Sequence, residues 1–158
     1  MSLDIRNARP GEEAIVMAFI RKLAAYENLL HEVKASEADI ASALFGANRR
    51  CGCDLALWNG EPAGFALWFY TFSTFAGTAG IYLEDLFVDL PLRGHGIGKA
   101  LLKHLARRCV AEGLGRLHWS VLDWNQPSIE FYKSIGARPV DEWTAFRLSG
   151  PELGALAE

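Results

Sequence analysis

Residues 81–100 read IYLEDLFVDLPLRGHGIGKA, and the parsing of this stretch decides how the rest of the chain must be arranged. An apolar strand, residues 81–88, carries two adjacent acids, Glu84 and Asp85, and runs into a loop that ends at Arg93. Gly94, Gly96 and Gly98 then alternate with His95 and Ile97 before an amphipathic helix begins. In that helix Ile97, Leu101, Leu105 and Cys109 share an i, i+4 row, while Lys99, Lys103 and Arg107 form a basic row facing away. The first N–H groups of a helix lack intrahelical partners and carry the positive end of its dipole. A strand feeding a glycine-rich helix start is therefore a cradle for an anion, above all a phosphate.

On the N-terminal side of this stretch, residues 53–58 and 63–72 flank Asn59-Gly60, a pair that supplies the positive φ angles of a tight hairpin. A second turn at residues 76–80 delivers the strand 81–88, so three strands form an antiparallel meander. Further back, residues 3–8 alternate as a short strand. An amphipathic helix then carries Ile15, Phe19 and Leu23 toward Tyr26 and Glu27. Ser36 and Asp39 have capping-box spacing and start a short helix that stops near Gly46. On the C-terminal side, Gly113 and Gly115 end the long helix, and residues 116–122 read as a strand returning parallel to residues 81–88 through a crossover. Asn125 and Pro127 open a helix over residues 128–134 that delivers Tyr132 near its end and closes at Gly136. Residues 138–148, with Trp143 and Phe146, are expected to add one strand or two.

With 158 residues, 51% of them apolar and 22% charged, residues 1–158 are expected to form one domain with its own core. A net charge of -3 offers no basic field, which argues against nucleic acid as a partner. No run reaches the roughly 18 apolar residues of a membrane span, and the first ten residues lack the basic and apolar regions of a signal peptide. The expectation is a cytoplasmic protein without a membrane partner. Cys51, Cys53 and Cys109 lack C-x-x-C spacing and read as structural thiols. His31, His95, His104 and His118 form no H-x-x-x-H pair, so no metal is expected.

The cluster R-G-H-G-I-G at residues 93–98 lacks the G-x-x-x-x-G-K-[ST] of a P-loop. It also fails the dinucleotide fingerprint, because its third glycine falls one position early. Asp123 lies at a suitable distance for that fingerprint, but the cluster follows a meander and too little chain remains for a second mononucleotide half. It fits instead R-x-x-G-x-G, the pyrophosphate loop of the GNAT N-acetyltransferases. The chain resembles that superfamily, and within it the diamine (spermidine/spermine N1-) acetyltransferases, over nearly its whole length. The residues that carry the resemblance are Tyr82-Leu83-Glu84-Asp85-Leu86-Phe87-Val88, the loop at 93–98, Trp124-Asn125-Gln126-Pro127-Ser128-Ile129-Glu130-Phe131-Tyr132-Lys133, and Leu23-Ala24-Ala25-Tyr26-Glu27.

This resemblance implies an α+β GNAT fold: a mixed, mainly antiparallel central sheet, flanked by helices and splayed at the cofactor site. It implies acetyl-CoA as cosubstrate, a small amine as partner, a homodimer, and direct attack of the amine on the thioester. A primary amine with a pKa near ~10.4 arrives as a cation and must lose a proton first. Glu84 is implied as the group that takes it, and Tyr132 as the acid that protonates the departing thiolate and meets the cofactor. The backbone of Leu86, Phe87 and Val88 would pair with the pantetheine arm. Arg93, Gly94, His95, Gly96, Ile97, Gly98 and Lys99 would hold the pyrophosphate, and Asn125 and Ser128 would touch the cofactor as well. Tyr26, Glu27 and Glu84 resemble the family's amine-binding set, while a further family acid aligns with Thr144, with Glu142 nearby. The acceptor is then a polyamine or diamine, or alternatively a lysine-like amino acid such as thialysine. A non-catalytic acyl-CoA sensor would keep the loop without needing Glu84 and Tyr132. An enzyme for protein amines would want an open groove, whereas Trp68, Tyr70, Phe72 and Phe75 suggest a walled pocket.

Overall fold

Turn chemistry and alternation together build one five-stranded sheet in the computed structural model, which describes residues 1–158. Its strands are β1 (Leu3–Asn7), β2 (Gly52–Trp58), β3 (Glu61–Ser73), β4 (Thr78–Val88) and β5 (Leu117–Trp119), adjacent in that order. The first four pair antiparallel, and β5 runs parallel to β4. Asn59 at φ 52° and Gly60 at φ 83° make the two-residue reversal between β2 and β3, as the Asn-Gly pair predicts. The chain divides into two compact units, Met1–Ser120 and Val121–Glu158. No helix is long and apolar enough to cross a membrane.

The first unit holds the sheet with helices α1 (Glu13–Tyr26), α2 (Glu37–Phe45) and α3 (Ile97–Glu112). The capping box at α2 forms as expected: the Asp39 N–H donates to Ser36 Oγ at 3.2 Å, and the Ser36 N–H donates to the Asp39 carboxylate at 2.8 Å. Alternation along β2 sends Cys53 and Leu55 to one face, where they meet Val16, Phe19, Leu44, Phe65 and Phe87. There Phe19 stacks on Phe65 with centroids 5.5 Å apart and planes 11° from parallel. Asp54 points to the opposite face, toward α3, whose buried row is Ile97, Leu101, Leu105 and Cys109.

Two departures from regular pairing shape the centre of the sheet. Between β3 and β4 the register passes from Leu67 opposite Asp85 to Trp68 opposite Leu83, so Glu84 is an extra residue in β4, a β-bulge. Between β4 and β5 pairing ends at Leu83 opposite Trp119, so residues 84–88 have no strand neighbour on that side. The returning strand is thus shorter than the 116–122 expected, and the sheet opens alongside the second half of β4.

The second unit contains α4 (Gln126–Ser134) and α5 (Pro151–Leu156). Asn125 caps α4, its Oδ1 accepting the Ser128 N–H at 3.4 Å, and Gly136 leaves the helix at φ 92°. The strand or strands expected over residues 138–148 do not form: this segment has a turn at Asp141–Glu142 and no regular secondary structure, with Trp143 77% and Phe146 95% exposed. Val140, Trp143 and Phe146 recur every third residue, so a strand would throw them onto alternating faces and bury neither set. Helix α5 adds to the elements that the sequence pattern predicts. It begins at Pro151, which tolerates the first helical position because its missing N–H would have no partner there.

Gly52 lies opposite Trp68, and a Cβ built on it would fall 2.5 Å from the indole Cζ2. Gly52→Ala is therefore expected to destabilise the fold by about 1–3 kcal/mol, the usual cost of overpacking, measured as a lower urea midpoint at unchanged m-value.

Candidate functional site

The bulge at Glu84 lies beside a cluster of acidic side chains. Glu84 is exposed, and Asp85 turns toward the α1 side of the sheet, two positions before the buried ring of Phe87. Helix α1 ends at Tyr26, and Glu27 is its cap residue, half-buried with its carboxyl raised by that burial. The Asp85 carboxyl is pushed up to about 7, first by burial and then by the negative charges of Glu84 and Glu27. None of the ion pairs of the chain engages these three acids. Three carboxyls gathered at the edge of an apolar core with no basic partner form a site that a cation would relieve.

The expected amine-binding residues Tyr26, Glu27 and Glu84 are thus brought to one region, and Asp85 joins them. Asp85 belongs to the strand motif, but the family resemblance carries no role for it. Strand alternation gives the signal, since only one of two adjacent acids can face a given side. Which acid faces the core depends on the bulge. The expected pocket walls are not confirmed. Trp68 is buried and hydrogen-bonded to Asp54 on the α3 side, Tyr70 and Phe72 are more than half exposed, and Phe75 is fully exposed at the hairpin tip. Tyr70 and Phe72 continue β3 beyond the core and Phe75 lies in the turn after it, so all three are carried away from the buried centre of the sheet.

The loop after β4 forms the second part of the site. Gly94 and Gly96 stand at φ 86° and 78°, values that a side chain rarely adopts, and a Cβ on either would meet nothing within 4 Å. Gly96 caps α3, and Ile97, Gly98 and Lys99 begin it; the Ala100 N–H is the first to close back, onto Gly96 O at 3.0 Å. The N–H groups of residues 97–99 precede that first closure and lie at the positive end of the helix dipole, a fit for pyrophosphate. Lys99 is exposed beside them. Arg93 turns the other way: its Nε donates to Val88 O at 3.1 Å, and its guanidinium lies 4.6 Å from the Tyr26 ring centroid and 5.3 Å from that of Phe87. It therefore ties the loop to the end of α1. His95 Nδ1 lies 3.0 Å from Leu92 O, with its ring edge-on to Trp58 at 5.2 Å. Between acids and cradle runs the open side of β4, where the backbone of Leu86, Phe87 and Val88 lacks a strand neighbour.

In the second unit, Asn125 is buried and engaged with the Ser128 N–H. Tyr132 lies within α4, half-buried, with its ring 5.6 Å from Phe131. Thr144 and Glu142 are exposed in coil, so the strand position expected for an additional acid is not built. Cys53 is buried with its thiol pushed far up by desolvation, and Cys51 and Cys109 are raised as well, which disfavours a thiolate nucleophile.

Residues 19–137 match the model of the acetyltransferase (GNAT) family. The thialysine N-epsilon-acetyltransferase of Sus scrofa is 35% identical over 99% of this chain and 98% of its own length. The spermidine/spermine N(1)-acetyltransferase-like protein 1 of Homo sapiens is 33% identical over 97% of this chain, which spans 23% of that protein. Among solved structures, an integron cassette protein from the mobile metagenome of V. cholerae superposes with a TM-score of 0.82 at 31% identity, covering 100% of this chain and 99% of its own. The chain belongs to the GNAT acetyltransferase family, whose members use acetyl-CoA.

The Asp85 carboxyl makes stability depend on pH in a defined sense. The folded chain keeps this proton up to about pH 7, whereas an unfolded Asp releases it near ~3.9, so folding takes up a proton between those values. The contribution of this group to stability therefore falls as pH rises through that window and levels off above it. Glu12, drawn down to about 2 mainly by Arg6, acts in the opposite sense at lower pH, and His118, lowered mainly by burial, does so below its usual value, so the contribution of Asp85 is read as the difference between paired chains. The expected outcome is that Asp85→Asn gains urea stability relative to the unaltered chain as pH rises from 5 to 7.5, read from paired denaturation curves.

Proposed function

We propose that this chain, as a member of the GNAT acetyltransferase family, transfers the acetyl group of acetyl-CoA to the primary amine of a small cationic substrate. The observation that carries the reading is the acid set itself, with Asp85 raised to about 7 by burial and by Glu84 and Glu27, beside an open strand edge and an anion cradle. A protonated amine entering this region supplies the missing positive charge and stabilises Asp85 in its ionised form.

When bound, acetyl-CoA supplies the activated acyl group, and the side chains handle binding and protons. The amides at the start of α3 hold the pyrophosphate, and the free edge of residues 86–88 orients the pantetheine arm as an added strand would. Glu27 and Asp85 hold the ammonium, and Glu84, on the bulge and open to solvent, passes its proton to water. Tyr132 takes the role that the family resemblance gives it, donating its phenolic proton to the leaving sulfur. The cytoplasmic location and the homodimer belong to the same proposal and rest on the composition and the family.

Among amines, a lysine-like amino acid such as thialysine is the first reading, supported by the full-length similarity to a thialysine N-epsilon-acetyltransferase. A polyamine is the second, and the specific observation favouring it is that three acids gather where one ammonium needs fewer. A thiol-release assay with acetyl-CoA against thialysine, ornithine, lysine, putrescine, spermidine and a lysine peptide discriminates the two. Release with thialysine and ornithine above the diamines supports the first reading, the reverse order supports the second, and a flat response across the panel overturns both. With the best amine, kcat/KM is expected to rise with pH through about 7 as Asp85 ionises, and Asp85→Asn is expected to flatten this step. Tyr132→Phe should lower kcat by about a hundredfold, the scale of general acid catalysis, while acetyl-CoA affinity measured by calorimetry stays within about threefold.

A further inference from the structure

We propose that Asp54 is a positioning residue for the amine site: through the indole of Trp68 it holds the register slip between β3 and β4 that presents Glu84 and Asp85. The inference rests on the reading of those acids as the amine site.

Asp54 is a charged side chain with no solvent exposure, in the middle of a central strand. A buried carboxylate costs several kcal/mol unless it is paired and hydrogen-bonded, and an apolar residue there would avoid that cost. Its partners are arranged atom by atom. Oδ2 accepts the Trp68 Nε1–H at 2.9 Å; Oδ1 accepts from Arg108 Nη2 at 3.2 Å and faces His104 Nε2 at 3.5 Å. Arg108 and His104 are one turn apart on α3, and the Arg108 guanidinium also lies 4.7 Å from the Trp68 ring centroid and donates to Asn7 Oδ1 at 3.1 Å. Gly52, opposite Trp68, leaves the space in which the indole lies, since a Cβ there would strike the ring. The absence of a side chain at Gly52, the carboxylate at Asp54 and the cation on α3 all fix one side chain, Trp68.

Trp68 sits where that fixation matters. It is the first β3 residue beyond the slip, opposite Leu83, while its predecessor Leu67 is opposite Asp85. In an unbulged ladder Trp68 would pair with Glu84. Glu84 would then turn onto the α3 face, and Leu83 and Ile81, now 2% and 0% exposed, would turn off it, because a one-residue shift reverses every side chain beyond it. Burial of Leu83 and Ile81 favours the slip in general. The indole, anchored to Asp54, fixes its place at Glu84.

The test uses Trp68→Phe, which keeps a ring and removes the N–H, beside Asp54→Leu, which removes the acceptor, and Asp54→Asn, which retains one. Hydrogen–deuterium exchange of the amides at residues 83–85 is measured in each folded protein, with kcat/KM for the best amine and KM for acetyl-CoA. Trp68→Phe and Asp54→Leu are expected to speed exchange at 83–85 at least tenfold and to lower amine kcat/KM about tenfold, with KM for acetyl-CoA within twofold. Asp54→Asn is expected to stay within threefold of the unaltered protein in both. Unchanged exchange at 83–85 in a folded Trp68→Phe overturns the inference, as does an equal loss with all three variants. If Asp54→Leu does not fold, Trp68→Phe against Asp54→Asn decides alone. The exchange readout needs no substrate, so absence of thiol release from the unaltered protein would overturn the functional reading while leaving the role of Asp54 in holding the bulge to be decided separately.

Discussion

Adjacent residues of a strand face opposite sides of its sheet, so a strand covered on both faces that carries two neighbouring acids must send both of them into packing unless the ladder gives way. In β4 the ladder gives way at Glu84, and this slip governs the layout of the candidate site. It lets Leu83 and Ile81 stay on the α3 face and Phe87 on the α1 face, although one acid too many lies between them. It leaves Glu84 exposed and turns Asp85 inward beneath the end of α1. Two residues earlier, the same insertion would turn Glu84 onto the α3 face; two residues later, it would turn Asp85 there, opposite the buried Ala66.

The two faces of the sheet consequently do different work. On the α1 side, packing is aromatic and apolar up to its edge, where burial raises the Glu27 carboxyl, and burial together with the charges of Glu84 and Glu27 raises that of Asp85. Arg93, in the loop after β4, contributes no ion pair to these acids: its guanidinium lies over Tyr26 and Phe87 and its Nε is bonded to Val88 O. That geometry keeps the acid set negative and the glycine loop attached to α1. On the α3 side, a buried carboxylate is matched with an arginine and an indole, and polarity there specifies geometry.

Much of this arrangement is legible in the sequence because it depends on local chemistry. Asn59-Gly60 dictates its turn, Ser36 with Asp39 caps a helix, and the glycines at 94, 96 and 98 need an open backbone at a helix start. The features that escape a reading of the sequence depend on pairing between distant segments. The bulge is a property of β3 and β4 jointly, and no residue in β4 alone announces it. The role of Asp85 is hidden for the same reason, and Trp68 reads as a pocket wall because its partner Asp54 lies 14 residues away on the neighbouring strand. The expected strand over residues 138–148 fails for the converse reason: aromatic content suggests a strand, but the three-residue spacing of Val140, Trp143 and Phe146 gives a sheet no face to bury.

The raised Asp85 also bears on how binding and proton transfer fit together in the proposed reaction. Burial and the charges of Glu84 and Glu27 push this carboxyl up to about 7, so near neutral pH it still binds a proton in the free chain. An ammonium placed within about 4–6 Å favours the ionised form and lowers that value. Binding therefore expels a proton from Asp85 before the amine has lost its own, and the ionised carboxylate that results is the form that holds the cation. The amine's proton then needs a different exit, because an acid that must remain ionised to hold its ligand serves poorly as that proton's resting place. In the proposed reaction that exit is Glu84, carried outward by the bulge and exposed. The adjacency that makes two acids awkward in a strand thus yields one carboxylate to hold the charge and another to remove the proton, and the slip of one residue separates the two roles.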